Sequence, residues 1–185
     1  MNTVITSKET ILNVSRELIQ KQGFPAVNIR AVAKACNISV GSIYNYFNSK
    51  TDLIAATVES VWCDIFRFPE NMETFHSFTS CVEWIFESIR KGDEKYPGFF
   101  TLHAMGFIGE DKSNGQKLMA QSWQHIQEHL HLVLTNDTQI RSEVFDENFT
   151  SEKFAEIIFS LIISALLQHN YDCSGILAMI RRVIY

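Results

Sequence analysis

The sequence has few of the residues that interrupt helices or build tight turns. Its 185 residues include 3 prolines and 8 glycines, fewer than a β-sandwich or barrel with many chain reversals needs. Its longest apolar run, 157–167, has 11 residues with two serines, whereas a membrane-spanning helix needs roughly 20. These scarcities argue against a turn-rich β fold and a membrane span, and they favour a mostly helical chain.

Cysteine pairs and catalytic loops are missing as well. The four cysteines (Cys36, Cys63, Cys81 and Cys173) are far apart and form no CxxC pair, which is typical of buried thiols in a reducing compartment. The sequence has no glycine-rich phosphate loop and no nucleophile elbow, so no cofactor and no enzymatic activity are expected. The opening MNTVITSKE has no signal-peptide pattern, and we expect a cytoplasmic protein.

Charge is distributed unevenly along the chain. The net charge is −5, but residues 1–50 contain six basic residues against two glutamates, a local net of +4, which leaves −9 for 51–185. A positive first segment on a negative remainder suggests a polyanionic partner at one end of the protein. The six basic residues are Lys8, Arg16, Lys21, Arg30, Lys34 and Lys50.

The first 50 residues carry clear helix signals. The pattern Thr6-x-x-Glu9 is a capping box that precedes apolar residues at helical spacing, and it predicts a helix over 7–22 ended by Gly23. Asn28 caps a second, short helix. The buried stripe expected on that helix consists of Ile29, Val32, Ala33 and Cys36.

A third helix is predicted over 40–47. Asn37 tolerates the left-handed backbone of a turn, and Ser39 caps the helix that follows. Ser49-x-x-Asp52 caps a fourth helix that runs to about Phe68. Two short helices joined by a three-residue turn, between a supporting helix and a long one, predict a helix-turn-helix unit.

The two sides of the third helix differ in chemistry. A 100° advance per residue places Val40, Ile43, Tyr44 and Phe47 on one side, where Ile43 and Phe47 are expected to anchor the helix in the core. The other side is small or polar and includes a glycine, which costs about 1 kcal/mol in a helix. A solvated helix would more often expose Glu and Lys. We therefore expect this outward side to contact DNA in the major groove; its residues are Gly41, Ser42, Asn45 and Tyr46.

Several motifs in 11–58 follow one known pattern. They are Gly23-Phe24, Ile29-Arg30-x-Val32-Ala33, Ser39-x-Gly41-x-Ile43-Tyr44-x-Tyr46-Phe47 and Ser49-Lys50. Together they resemble the DNA-binding domain of the TetR family of transcriptional regulators. Two positions depart from the family pattern: Asn37 replaces a common turn glycine, and Val40 stands where many members have a polar or basic residue.

The resemblance implies a role for each of the matching positions. Arg30 would contact a phosphate or a guanine edge, and Lys50 would bind a phosphate. Tyr44 and Tyr46 would touch phosphates or bases, and Val40 would make an apolar contact, such as one to a thymine methyl group. The residues entering the major groove would be Ser39, Val40, Gly41 and Ser42. Ordinary solvated charge is the alternative for Arg30 and Lys34.

The predicted fold is all-α with about nine helices. Residues 1–50 would form the helix-turn-helix DNA-binding domain and 51–185 a helical effector-binding and dimerisation domain. Beyond the fourth helix, we predict connections at 91–93, 109–115 and 137–148. The helices are predicted near 71–91, 96–107, 114–136, 150–169 and 173–185.

One three-helix DNA-binding domain buries only about 600–1,000 Å² on DNA. Specific binding usually needs two such domains on a symmetric site, so a homodimer on a palindromic operator is expected. The last two helices have more apolar surface than one face requires, and the resemblance implies that they pair into a four-helix interface. A role in the chain's own core is the alternative. The predicted dimerisation residues are Phe154, Ile158, Leu161, Ile162, Ala165, Ile176, Ile180 and Ile184.

Residues 51–185 hold 18 of the 22 aromatic residues, and most of these are expected in the core. Apolar walls with a few polar groups also suit a small-molecule pocket, and the expected effector is hydrophobic or aromatic. The candidate lining residues, for each of which a plain core position is the favoured alternative, are Trp62, Phe66, Trp84, His103, Phe107 and Trp123.

One enzyme-like pattern has to be weighed against this interpretation. His125-x-x-Glu128-His129 matches the HxxEH motif of inverted zinc peptidases, and histidines four apart on a helix can share a metal. A third ligand at a recognisable spacing is missing, so a polar helix surface is favoured and no metal is expected. The expected function is a ligand-responsive repressor released from DNA by its effector. A metal-dependent hydrolase and a DNA-binding protein without effector are the alternatives.

Overall fold

The computed structural model describes residues 6–67, 75–100 and 112–185, of which 112–122 by their backbone alone. Within these ranges the fold is all-α, as predicted, with a 3₁₀ turn at Phe24–Ala26. No helix in the described ranges is both long enough and apolar enough to cross a bilayer. The eight α-helices are α1 Lys8–Gln22, α2 Ile29–Ala35, α3 Val40–Ile43, α4 Lys50–Ile65, α5 Phe78–Lys95, α6 Lys112–Asn136, α7 Ser151–Leu167 and α8 Ser174–Ile184.

The first two helices begin and end at local signals in the sequence. Ser7, whose backbone is extended, caps α1 by accepting a hydrogen bond from the Thr10 N–H at 3.1 Å, so the predicted cap at Thr6 was wrong by one residue. Gly23 ends α1 with φ of +78°, a conformation that favours glycine. Asn28 caps α2 as predicted, accepting from the Ala31 N–H at 3.0 Å.

The turn and the third helix are shorter than the helical periodicity indicated. Asn37 has the expected left-handed backbone, with φ of +54°, and Ser39 caps α3 by accepting from the Ser42 N–H at 3.1 Å. The α-helix ends at Ile43, not at 47, and the chain continues in a tighter turn in which the Tyr46 N–H donates to the Ile43 carbonyl at 3.0 Å.

The described residues form two compact units. The first comprises 6–65, 92–100 and 112–119, and the second comprises 66–67, 75–91 and 120–185. Helix α4 and the end of α5 therefore group with the first three helices, whereas the predicted domains divided the chain between 50 and 51. The core of the first unit includes Ile11, Ile19, Val32, Ile43, Leu53, Val61 and Phe99, and that of the second includes Phe78, Ile85, Leu130, Phe154, Ile158 and Ile180.

Helix α5 differs most from the prediction. Its first helical residue is Phe78, and it runs without interruption to Lys95 through the glycine that was expected to mark a connection. The reason is a close approach: a Cβ at Gly92 would lie 2.9 Å from the Ile65 side chain at the end of α4. Glycine here lets two helices pack closely. Gly115 likewise lies inside α6, and the predicted helix at 96–107 lies mostly outside the described residues.

Substituting Gly92 with alanine should destabilise the protein by about 1–2 kcal/mol, because the overlap with Ile65 outweighs the gain in helix propensity. The matched control is Gly175→Ala in α8, where a Cβ would meet no described atom within 4 Å. That variant should be neutral or stabilised by up to about 1 kcal/mol. Urea unfolding of both variants measures the difference, and equal effects would contradict the close approach.

The four thiols are all free. Cys81 is buried, and burial raises the pKa of its thiol to about 12. Cys36 and Cys173 are half-buried, while Cys63 is exposed on α4, contrary to the expectation that all four are buried.

Candidate nucleic-acid interface

The residues predicted to contact DNA all lie in the first unit and stay accessible in the isolated chain. Within the chain, only Ser42 of the nine is half-buried. A surface covered by other parts of its own chain could not bind DNA, and no described part of the chain covers this one. The exposed residues are Arg30, Ser39, Val40, Gly41, Tyr44, Asn45, Tyr46 and Lys50.

The orientation of two of these residues differs from the prediction. Val40 and Tyr44 were placed on the core side of the third helix, yet 40% and 50% of their surfaces are exposed. Only Ile43 and Phe47 are buried there. The single turn of α3 is anchored through Ile43, and the backbone tightens after it, so a 100° advance does not apply to the residues that follow. Val40 and Tyr44 thus join the accessible face.

The packing of the chain does not explain the glycine in α3. A Cβ at Gly41 would lie 3.7 Å from the Ser39 hydroxyl oxygen, an ordinary van der Waals contact. Gly41 is also not among the glycines with positive φ. The chain itself therefore leaves room for a Cβ at this position, and its own packing does not require a glycine there.

The basic residues of 6–50 fall into two groups. Lys21 pairs with Glu17 at 3.1 Å, and Arg16 donates to the Ser60 hydroxyl at 2.6 Å. Lys8, Arg30, Lys34 and Lys50 are exposed, and none of them has an acidic partner within the described part of the chain. The unpaired cations give this end of the first unit a positive surface that suits a polyanion.

A polar network connects α4 to the end of α5. One carboxylate oxygen of Asp64 accepts hydrogen bonds from the Lys95 ammonium at 2.6 Å and from the Tyr96 hydroxyl at 2.7 Å. Burial raises the pKa of Asp64, but the hydrogen bonds from Lys95 and Tyr96 outweigh burial and lower it. Burial, followed by the bond to Asp64, raises the pKa of Tyr96 to about 12. Asp64 is therefore charged and Tyr96 neutral at pH 7.

An aromatic cluster links the same elements to the first helices. Phe99, which is 1% exposed, packs edge-on against Phe24 with ring centroids 6.1 Å apart, and against Trp62 at 5.8 Å. Phe100 lies 5.6 Å from Trp62. The turn after α1 is thus fixed onto α4 by rings from the segment that follows α5.

Four of the six candidate effector-binding residues lie in the described ranges, and each of these packs within its own unit. Trp62 belongs to the cluster just described, Phe66 lies 6.3 Å from Trp84, and Trp123 lies 5.9 Å from Phe159. The predicted His103 and Phe107 lie outside the described residues. The indole nitrogen of Trp123 is buried and has no hydrogen-bond acceptor in the ranges that the structure describes. Its sequence context gave no signal of this unpaired donor.

Most of the predicted dimerisation residues lie in the core of the chain itself. Phe154, for example, packs against Phe78 at 5.9 Å and against Phe149 at 5.7 Å. A side chain buried in this way has little surface left for a second copy, which favours the alternative role in the core for these residues. The buried ones are Phe154, Ile158, Ile162, Ala165, Ile180 and Ile184, whereas Leu161 and Ile176 are half-buried.

The histidine motif on α6 has the contacts of a solvated helix surface. Glu128 accepts from the Gln124 amide at 2.9 Å and lies 3.7 Å from His125. The Nδ1 atom of His129 lies 2.7 Å from the His125 carbonyl oxygen. In the part of the chain that the structure describes, no three His, Cys, Asp or Glu side chains are placed to hold a metal ion. The geometry gives the hydrolase alternative no support.

Residues 29–50 contain α2, the turn at Asn37 and α3, and they end at the first residue of α4; this segment is the reader. An accessible reader of this kind, beside cations without acidic partners in the described residues, defines the class of helix-turn-helix proteins. Residues 11–57 match the family described as "Bacterial regulatory proteins, tetR family". Over 84 residues the chain is 34% identical to the HTH-type transcriptional regulator UidR of Escherichia coli K12, covering 45% of this chain and 41% of UidR. The chain thus spans about two fifths of the length of this relative.

Solved structures extend the likeness of fold beyond the reader. A transcriptional regulator from Rhodococcus sp. RHA1 superposes with a TM-score of 0.65 at 16% identity, covering 97% of this chain and 98% of that one. FadR of Bacillus subtilis, in complex with stearoyl-CoA, gives 0.63 at 16% identity with coverage of 96% and 95%. BioQ with its double-stranded DNA operator gives 0.57 at 9% identity with coverage of 90% and 87%. Residues 11–57 thus carry the sequence pattern of the TetR family, and over the rest of the chain the likeness to the solved regulators is one of fold.

Proposed function

We propose that this protein is a ligand-responsive repressor that binds a palindromic operator as a homodimer. The observation that carries the proposal is the accessible face of α3, whose glycine has no explanation in the packing of the chain. The unpaired Arg30 and Lys50 lie on the same unit and would hold the DNA backbone. BioQ, which shares the fold, was crystallised with a DNA operator, and this supports duplex DNA as the partner.

A second copy would bring the two readers to successive major grooves, roughly 34–36 Å apart. The surface that suits this contact is the face of α7 and α8 left exposed by the core. Ile157 is 46% and Leu167 52% exposed, with Leu161 and Ile176 half-buried. Ser160 and Ser164 are exposed on the same helix, and their small side chains would allow another helix to approach closely. This face replaces most of the dimerisation residues predicted from the sequence.

The dimer would exist in two forms, one whose two readers are spaced to reach successive major grooves and one whose readers are not. An effector would act by binding the second form more tightly. It can shift the equilibrium between the two forms only by the ratio of its affinities for them. Helix α4 is suited to transmit the change, because it begins at Lys50 in the reader and ends at Ile65, against Gly92 of α5.

The effector we propose is hydrophobic and carries a hydrogen-bond acceptor. Buried donors in native proteins nearly always have a partner, and the unpaired Trp123 N–H would find one in such a ligand. FadR, of similar fold, was crystallised with stearoyl-CoA, which combines a long apolar chain with carbonyl acceptors. Thermal shifts with stearoyl-CoA against free coenzyme A, on the free and the DNA-bound protein, test this part of the proposal.

Selection of binding sites from a random duplex pool tests the function as a whole. The enriched sequence should be an inverted repeat whose half-sites are about 10 base pairs apart, centre to centre, or a multiple of that spacing. Sedimentation of the complex should show an even number of chains on each duplex. Failure to enrich any sequence would contradict the proposed function, and a single unrepeated site would contradict the symmetric dimer.

A further inference from the structure

Two contacts bring the start of α1 against the end of the reader. The Tyr46 hydroxyl donates a hydrogen bond to the Thr6 backbone carbonyl at 2.6 Å. The Lys8 ammonium lies over the ring of Phe47, 5.7 Å from its centroid. Neither Thr6 nor Lys8 is among the residues predicted to contact DNA.

The hydrogen bond to Thr6 limits what Tyr46 can do on DNA. A phenol has one proton to donate, and this one is directed at the Thr6 carbonyl. Phosphate oxygens only accept hydrogen bonds, so a hydroxyl placed in this way has nothing to donate to them. The phosphate contact that the family resemblance implies for Tyr46 would therefore require the Thr6 contact to break.

Lys8, in contrast to Tyr46, has hydrogen-bond donors that could reach a phosphate. It is exposed and has no acidic partner within the described residues, unlike Lys21, which is paired with Glu17. Its position over Phe47 holds the ammonium beside the segment that carries the exposed Tyr44 and Lys50. A cation–π contact leaves the three ammonium donors available for a phosphate.

We infer that Tyr46 is a positioning residue, which ties the start of α1 to the reader, and that Lys8 makes a phosphate contact on the operator. The inference rests on the proposed function, since it adds one contact to the same DNA-binding surface. It also changes one assignment: of the two contacts expected of Tyr46, to phosphates or to bases, the phosphate contact is made by Lys8.

The salt dependence of binding tests the role of Lys8. With the duplex enriched from the random pool by the wild type, the slope of log affinity against log salt should become shallower by about 0.9 per lysine in Lys8→Gln, hence about 1.8 for a dimer. Lys21→Gln removes the same charge from α1 and should leave the slope unchanged. Lys8→Arg should also retain the wild-type slope.

A double-mutant cycle tests the role of Tyr46. Tyr46→Phe keeps the ring and removes the hydroxyl, and it should reproduce part of the slope change of Lys8→Gln because the start of α1 is released. The double variant should have the slope and affinity of Lys8→Gln alone. Affinity losses that add, with no change of slope in Tyr46→Phe, would show that Tyr46 itself binds the phosphate and would overturn its assignment.

The outcomes separate this inference from the proposed function. If the wild type enriches a duplex and the slope of Lys8→Gln equals that of the wild type and of Lys21→Gln, the inference fails and the function stands. If the wild type enriches no duplex at all, the proposed function fails and the inference fails with it.

Discussion

Leucine in place of Gly41 should weaken operator binding by more than about a hundredfold and leave the protein as stable as the wild type, or up to about 1 kcal/mol more stable. The chain has room for the side chain, because a Cβ would make only an ordinary contact with Ser39. A bulky group at the start of α3 would instead hold the helix away from the base edges, so that several contacts are lost together.

Gly175→Leu is the matched control, since it makes the same change in a helix that is not part of the reader, at a position with open space around it. It should be as stable as the wild type or slightly more stable, as expected for Gly41→Leu. Fluorescence anisotropy measures binding, and urea unfolding measures stability. Wild-type affinity in Gly41→Leu would show that α3 does not approach DNA closely, and a large loss of stability would show that Gly41 serves the fold.

Phe99→Ala should lower the free energy of unfolding by about 3–5 kcal/mol, a large part of the roughly 5–15 kcal/mol available to a domain. Phe99 is 1% exposed and contacts the rings of Phe24, Trp62, Tyr96 and Phe100. Its removal leaves a cavity between the turn after α1 and helix α4. Operator affinity should fall as well, because this cluster fixes the reader to α4.

Phe145→Ala is the comparison for Phe99→Ala, because Phe145 also packs in an aromatic cluster but is only half-buried. Its cost in urea unfolding should be clearly smaller, and operator binding should be retained. If Phe99→Ala lowered the free energy of unfolding by less than about 1 kcal/mol, the aromatic cluster would not be what fixes the turn after α1 to α4.

The helices of the reader could be predicted because their signals are local. Ser39 and Ser49 cap helices through their own hydroxyl groups, and Asn37 adopts a backbone that its short polar side chain tolerates. The cap of α1 was misplaced by one residue because Thr6 and Ser7 are both suitable, and only the backbone conformation distinguishes them.

Signals that depend on distant partners were misread. Gly92 looks like a break in the sequence, but its role is to admit Ile65 from another helix. Helices α7 and α8 have more apolar residues than one buried face requires, as the sequence indicated. Periodicity alone cannot tell a face that packs on its own chain from one that contacts a second copy. Burial separates Ile158, which is fully buried, from Ile157, which is 46% exposed.

The exposure of the candidate site could be predicted from the sequence only in part. The small and polar composition of 39–46 predicted a face that the structure leaves accessible, while the projection over a full helix misplaced Val40 and Tyr44 because α3 is a single turn. The bond between Tyr46 and Thr6 joins residues 40 positions apart. No pattern in the sequence indicates that bond.

Photo-crosslinking from single positions is the most direct test that this face of the chain reads DNA. A benzophenone side chain at Tyr44, which is 50% exposed, is compared with one at Leu132, which is 46% exposed on α6. Both variants are irradiated with the duplex enriched by the wild type. Crosslinks to the duplex from position 44 and none from position 132 are predicted. Equal yields at both positions, or crosslinks from 132 alone, would contradict the account.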